Sequence, residues 1–164
     1  MFVRQLFDRE TSTYTYLIAD EASNEAAIID PVKEQFERDV LLIEQLGFNL
    51  KYTLETHVHA DHITSSGQMR DKFGSKVVLH ENSGAKCADM LVKDNDELTL
   101  GDKVIKAIHT PGHTNADLSF AIDGTVFTGD ALLVRDCGRT DFQLGSSATL
   151  YNSINDKIFA LDDA

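Results

Sequence analysis

Polar and apolar residues alternate from Thr13 to Ala19, placing Tyr14, Tyr16 and Ile18 on one face, and this period of two predicts a strand. Phe2 to Phe7 precedes it as another strand, and the apolar run Ala26 to Asp30, halted by Pro31, predicts a third, more buried one. The period then changes. Phe36, Val40, Ile43 and Leu46 fall at helical spacing, which predicts a helix over Gln35 to Leu46, with Gly47 as its left-handed cap. Leu50 to Glu55 predicts a strand, Ile63 to Phe73 a helix stopped by Gly74, and Lys76 to His80 a short strand. Gly84 to Asp96 has no clear period and is expected to be a loop with one helical turn. Leu98 to Leu100 and Val104 to Ile108 predict strands around Gly101-Asp102, and Leu118 to Ile122 and Thr125 to Thr128 predict strands around Asp123-Gly124. Ala148 to Leu161 closes the chain as a helix, with Leu150, Ile154, Ile158 and Leu161 on one face.

Helices interspersed among strands predict an α/β layered domain with mixed sheets, and no linker divides residues 1–164. A hydrophobic fraction of 42% with two prolines supports a packed core rather than disorder. The formal net charge of −12 disfavours nucleic acid and anionic membrane as partners, and an anionic substrate would need a locally positive pocket. No apolar run reaches membrane-spanning length and Met1 to Gln5 lacks signal-peptide character, so the expected location is the cytoplasm. Cys87 and Cys137 lie far apart without paired spacing, which argues against a disulfide framework and excludes a thiolate zinc site by count.

The chemistry concentrates at strand ends. His57, His59, Asp61 and His62 fall within six positions after the fourth strand, and four titratable groups so close need a shared partner such as a metal ion. His113 follows Thr110-Pro111-Gly112, and Asp130 follows Thr128-Gly129, each after another strand. Taken singly, the last two read equally well as turn residues. His80 and His109 read as ordinary surface or hydrogen-bonded histidines, Cys137 as a small buried hydrophobe, and Cys87 has no visible partner.

His-x-His-x-Asp-His at 57–62, Thr-Pro-Gly-His-Thr at 110–114 and Thr-Gly-Asp at 128–130 together resemble the metallo-β-lactamase superfamily, in order and spacing over nearly the whole chain. That resemblance implies an αβ/βα four-layer sandwich with a metal at one edge, between two sheets. Cys137-Gly138-Arg139-Thr140-Asp141-Phe142-Gln143, followed by Leu150 to Ile154, resembles the persulfide dioxygenase branch, the sulfur dioxygenases of the ethylmalonic-encephalopathy type. The branch implies one Fe(II) per chain held by His57, His113 and Asp130. His59, Asp61 and His62 would then order the ligands or hold a second ion.

The implied reaction is oxidation of glutathione persulfide by O₂ to sulfite and glutathione. Arg139, Arg135 and Tyr151 are the expected substrate contacts, Arg139 first because a guanidinium meets a carboxylate with two parallel bonds; Arg139 reads alternatively as a structural partner of Asp141. The alternative activity is a glyoxalase II-like thioester hydrolase with one or two metals, zinc included. A non-catalytic metal- or thiol-binding module is the third reading. Members of this family continue with a further strand, a Pro-x-His-Asp loop and more helix beyond the region matched here. The fold is therefore expected to be incomplete at its C-terminus, and association into a homo-oligomer is expected to cover the exposed edge.

Overall fold

The computed structural model describes residues 1–161; residues 162–164, the end of the expected domain, lie outside the described residues. Strands β1 (Phe2–Phe7), β2 (Tyr14–Asp20), β3 (Glu25–Ile29), β4 (Asn49–Leu54), β5 (Lys76–His80) and β6 (Met90–Val92) form a six-stranded sheet in that order. The first three pair antiparallel and the last three join in parallel. Strands β7 (Glu97–Leu100), β8 (Lys103–His109), β9 (Leu118–Ile122) and β10 (Thr125–Phe127) form a second, wholly antiparallel sheet.

Side chains alternate across each strand, so each face of the first sheet needs its own cover. Ile18, Ala27, Ile29 and Leu54 point inward and meet Leu100, Ile105, Leu118 and Phe120 of the second sheet. Leu17, Ala19, Ala26 and Ile28 point outward, against Val40 and Ile43 of helix α1 (Phe36–Leu46) and Met69 of α2 (Ser66–Phe73). Helix α3 (Ser147–Ser153), extended by a π-helical turn over Ile154–Ile158, uses Leu150 and Ile158 to cover Ala131. Helices α1 and α2, the six-stranded sheet and the four-stranded sheet thus stack in the order expected of the αβ/βα sandwich.

Several expectations change in detail. The helix expected from Ile63 begins at Ser66, because the residues before it pair elsewhere: Lys33 N–H donates to Ile63 O at 2.8 Å and Ser65 N–H to Pro31 O at 2.8 Å. The segment from Gly84 to Asp96, expected to be a loop with a helical turn, instead contains β6, parallel to β5, and the nearby 3-10 turn lies before it, at Glu81–Ser83. Three residues are too few for periodicity to reveal a strand. Leu46 is exposed rather than part of the buried face of α1, and Leu161 lies beyond the last helical turn. Among the described residues, no helix is long and apolar enough to cross a membrane.

The two sheets are also tied at one end by His80 and His109, whose rings stack at 3.9 Å with planes 11° apart. His80 Nδ1 accepts from Asn82 N–H at 3.1 Å, and its ring is buried. Burial, and then the neighbouring His109, depress the His80 pKa from 6.5 to about 4. The fold thus prefers neutral His80, and stability from this group is lost as pH falls from 6.5 toward about 4. His80→Phe keeps an aromatic ring on His109 and is expected to flatten that fall, measured as unfolding free energy by urea titration across the interval. Phe120, fully buried between the sheets, gives a second expectation: Phe120→Ala should lower stability by about 3–5 kcal/mol in the same assay.

Candidate metal centre

The site begins with a carboxylate that sequence reading passed over. Asp30 directly follows β3, is buried, and receives Thr56 N–H at 2.7 Å on Oδ1 and the Thr56 hydroxyl at 2.7 Å on Oδ2. Thr56 O in turn accepts Leu118 N–H at 2.7 Å, so one residue is held by both sheets just before the histidine cluster. The Thr56 hydroxyl gives its proton to Asp30 and can therefore only accept from its other neighbour, His57 Nδ1, at 3.0 Å. That bond places the His57 proton on Nδ1 and leaves Nε2 with a free lone pair.

His113 is prepared in the same way. Its Nδ1 donates to the backbone oxygen of Arg139 at 2.7 Å, leaving Nε2 free, 3.5 Å from Asp130 Oδ2. The loop that carries it is clamped by the buried Asp117, which accepts Thr114 N–H at 2.7 Å and the Thr114 hydroxyl at 2.6 Å. Gly112, at φ 144°, lets this loop approach α3 so closely that an added Cβ would lie 2.4 Å from the Leu150 Cα.

His57, His113 and Asp130 each offer a ligand atom, all within 4.8 Å of one another, and the two imidazole rings meet edge to face at 4.8 Å. Burial, and then the charge of His59, depress the His57 pKa to about 3, which keeps it a neutral donor at ordinary pH. Burial raises the Asp130 carboxyl, and His113 and then His59 offset only part of that rise. Two lone pairs and one carboxylate converging from three loops fit a divalent transition metal.

His59 and its neighbours are arranged differently. His59 Nε2 lies 3.1 Å from Asp30 Oδ1 and 3.3 Å from Glu55 Oε2. Burial works against a charge on His59, but Asp30 and Glu55 outweigh it and hold its pKa well above the usual value. Asp30 shows the reciprocal effect: burial opposes its charge and His59 overcomes that opposition, so its carboxyl lies below the ordinary range. His59, Asp61 and His62 form a second set of ligand atoms within 4.8 Å, and the buried His62 Nε2 has no hydrogen-bond partner among the described residues.

The expected substrate residues fare less uniformly. Arg139 is exposed and both Nε and Nη2 are committed to Asp141, at 2.8 and 3.0 Å, so it serves the site through its backbone oxygen. Arg135 and Tyr151 are exposed, the first at φ 65° in a tight turn and the second on α3. Cys137 is exposed, contrary to the buried hydrophobe expected, because it lies in the irregular loop between Asp130 and Arg139 rather than in an element packed on either side. Asp30, Glu55 and Asp117 were missed; an acidic residue closing an apolar strand, as Asp30 does before Pro31, was the available signal.

Gly138 N–H donates to Asp130 O at 2.7 Å, and a Cβ there would lie 2.5 Å from that oxygen and 2.8 Å from His113 Nδ1. Gly138→Ala is therefore expected to separate Asp130 from His113 and lower metal affinity roughly ten- to a hundredfold, the range seen when groups supporting a ligand are lost. Equilibrium metal titration of the folded variant measures it.

Known proteins resemble this chain in sequence and fold. The model of the metallo-beta-lactamase superfamily matches residues 8–89 and 86–163. The mitochondrial persulfide dioxygenase ETHE1 of Homo sapiens is 45% identical over 98% of this chain, which spans 64% of that relative's length. The hydroxyacylglutathione hydrolase of Pelagibacter ubique (strain HTCC1062) is 34% identical over 92% of this chain and 62% of its own. The crystal structure of ETHE1 from Myxococcus xanthus superposes with a TM-score of 0.96 at 50% identity, covering 99% of this chain and 72% of that one. With the family model matched along almost its whole length and the sandwich in place, this chain belongs to the metallo-beta-lactamase superfamily.

Proposed function

We propose that the chain carries the centre of an Fe(II)-dependent persulfide dioxygenase, which converts glutathione persulfide, O₂ and water to glutathione and sulfite. The observation that carries this reading is the set of His57, His113 and Asp130, with both imidazole Nδ1 atoms tied to oxygen acceptors. Two imidazoles and one carboxylate would leave positions open on a metal held there, as a reaction between two bound partners requires. Similarity to the ETHE1 proteins supports the choice of substrate.

Iron, when bound, supplies the redox chemistry that makes O₂ reactive toward sulfur. The chain's own residues set the geometry. Thr56 and the Arg139 carbonyl fix the two imidazoles in the tautomer that directs Nε2 inward, and Asp30 holds Thr56 in place. Asp130 contributes the negative charge that offsets part of the metal's, and Asp117 keeps the His113 loop from opening.

A second reading is a thioester hydrolase like the hydroxyacylglutathione hydrolases. The set of His59, Asp61 and His62 favours it, since it offers a place for a second ion. O₂ consumption with glutathione persulfide, after anaerobic loading with iron, separates the two. Uptake is expected, with about one iron per chain, and His113→Ala is expected to lose it by at least about two orders of magnitude. Release of glutathione from lactoylglutathione without O₂, at two zinc ions per chain, would replace the first reading with the second.

A further inference from the structure

Thr13, which directly precedes β2, reaches across to the histidine cluster. Its Oγ lies 3.3 Å from His62 Nδ1, although 49 positions separate the two residues. Thr13 is the end of a chain of hydrogen bonds that starts at Asp8, the residue after β1. The Asp8 side chain is buried. Its Oδ1 accepts the Gln35 amide at 2.6 Å, and its Oδ2 accepts Thr11 N–H at 2.9 Å and the Thr11 hydroxyl at 2.8 Å. The hydroxyls of Thr11 and Thr13 lie 2.8 Å apart.

Counting donors fixes the direction of every link. The Thr11 N–H, and then its hydroxyl, hold the Asp8 carboxyl below its usual range, and a carboxylate only accepts. Thr11 therefore gives its one hydroxyl proton to Asp8 and has only lone pairs for Thr13. Thr13 must donate to Thr11, which leaves it only lone pairs for His62. His62 Nδ1 is thus the donor of that contact, and Nε2 is the nitrogen left to offer a lone pair to an ion. Asp30 acts on His57 through one threonine; Asp8 acts on His62 through two.

Asp61 is the rival acceptor, with Oδ1 at 3.2 Å from the same Nδ1. Its side chain is 54% exposed, whereas that of His62 is 0% exposed, and it offers an oxygen to the same ligand set as His62. Water and an ion both compete for that carboxylate. Thr13 is tied at two points, through its hydroxyl to Thr11 and through its backbone oxygen to Asp8 N–H at 2.9 Å.

We propose that Asp8 is a positioning residue of the metal centre: through Thr11 and Thr13 it keeps a proton on His62 Nδ1 and so presents Nε2 to the set formed with His59 and Asp61. The inference rests on reading that set as part of the centre, and is independent of the choice between dioxygenase and hydrolase. Asp8 also braces the turn between β1 and β2, a role that by itself would leave the proton of a distant ring where it is.

Nitrogen NMR of the metal-free protein makes the test, in mildly alkaline buffer where the neutral ring is observed, because protonated and bare imidazole nitrogens resonate far apart. His62 is expected to show a protonated Nδ1 and a bare Nε2. In Asp8→Ala the Thr11 hydroxyl is free to donate to Thr13, the chain can run the other way, and the proton is expected to shift toward Nε2. Thr13→Val should also release the preference for Nδ1, and Thr13→Ser, which keeps the hydroxyl, should retain it. Zinc titration followed at the same signals gives a second readout. The zinc concentration that moves the His62 signals is expected to rise at least about tenfold in Asp8→Ala and Thr13→Val, with that for His113 unchanged. The Thr13 pair leaves the Asp8 carboxylate and its partners in place, so it decides the matter even where Asp8→Ala does not fold. A bare Nδ1 in the unaltered protein, a proton that leaves Nδ1 only in Asp61→Ala, or His62 signals that zinc moves equally in Thr13→Val or not at all would each overturn the proposal. Loss of O₂ uptake in the iron-loaded protein with this proton placement intact would overturn the dioxygenase reading alone.

Discussion

Asp30 is the constraint on which the site depends. A carboxylate at the end of a strand covered on both faces carries a large desolvation cost unless donors surround it. Here those donors are Thr56, through backbone and hydroxyl, and the His59 ring. In satisfying Asp30, Thr56 loses the freedom to donate elsewhere, and that single restriction decides which nitrogen of His57 carries the proton. The link from burial to ligand geometry passes through two hydrogen bonds, and nothing in it needs the metal to be present first.

The layered fold supplies the setting. The parallel strands β3 and β4 end side by side, so Asp30 and Thr56 emerge within reach of each other. The antiparallel sheet brings the other loops to the same edge: β8 leads into His113 and β10 into Asp130. The loop from Gly138 to Ser146 then crosses the opening. It is fastened by Arg139 O to His113, by Ser146 N–H to Gly112 O at 2.8 Å and by the Gln143 side chain to Val58 O at 2.9 Å. Residues far apart in sequence are each held by backbone atoms, so the site is rigid without a dense apolar shell of its own.

Much of this could be read from the residues. Period-two alternation located β2, and Gly47 and Gly74 marked helix ends that the structure closes in left-handed conformation at φ 70° and 73°. The three motifs fell at strand ends, and their resemblance to one superfamily tied them to a common site. What escaped has physical causes. Strand β6 is too short to show a period, and α2 starts late because its first residues bridge to Pro31 and Lys33. The buried acids look like ordinary strand or turn residues until tertiary neighbours surround them. Arg139 was singled out for its guanidinium, whereas its carbonyl reaches His113; backbone contributions of that kind leave no mark on residue type.

Gly112 carries a consequence of its own. Its missing side chain is the space into which Leu150 settles, so the loop bearing His113 and the helix behind it form a single interlocked body. Any larger residue would act as a wedge, pushing the helix away from the loop. Mutational tolerance at this position should therefore be close to nil, although Gly112 offers the site no ligand atom.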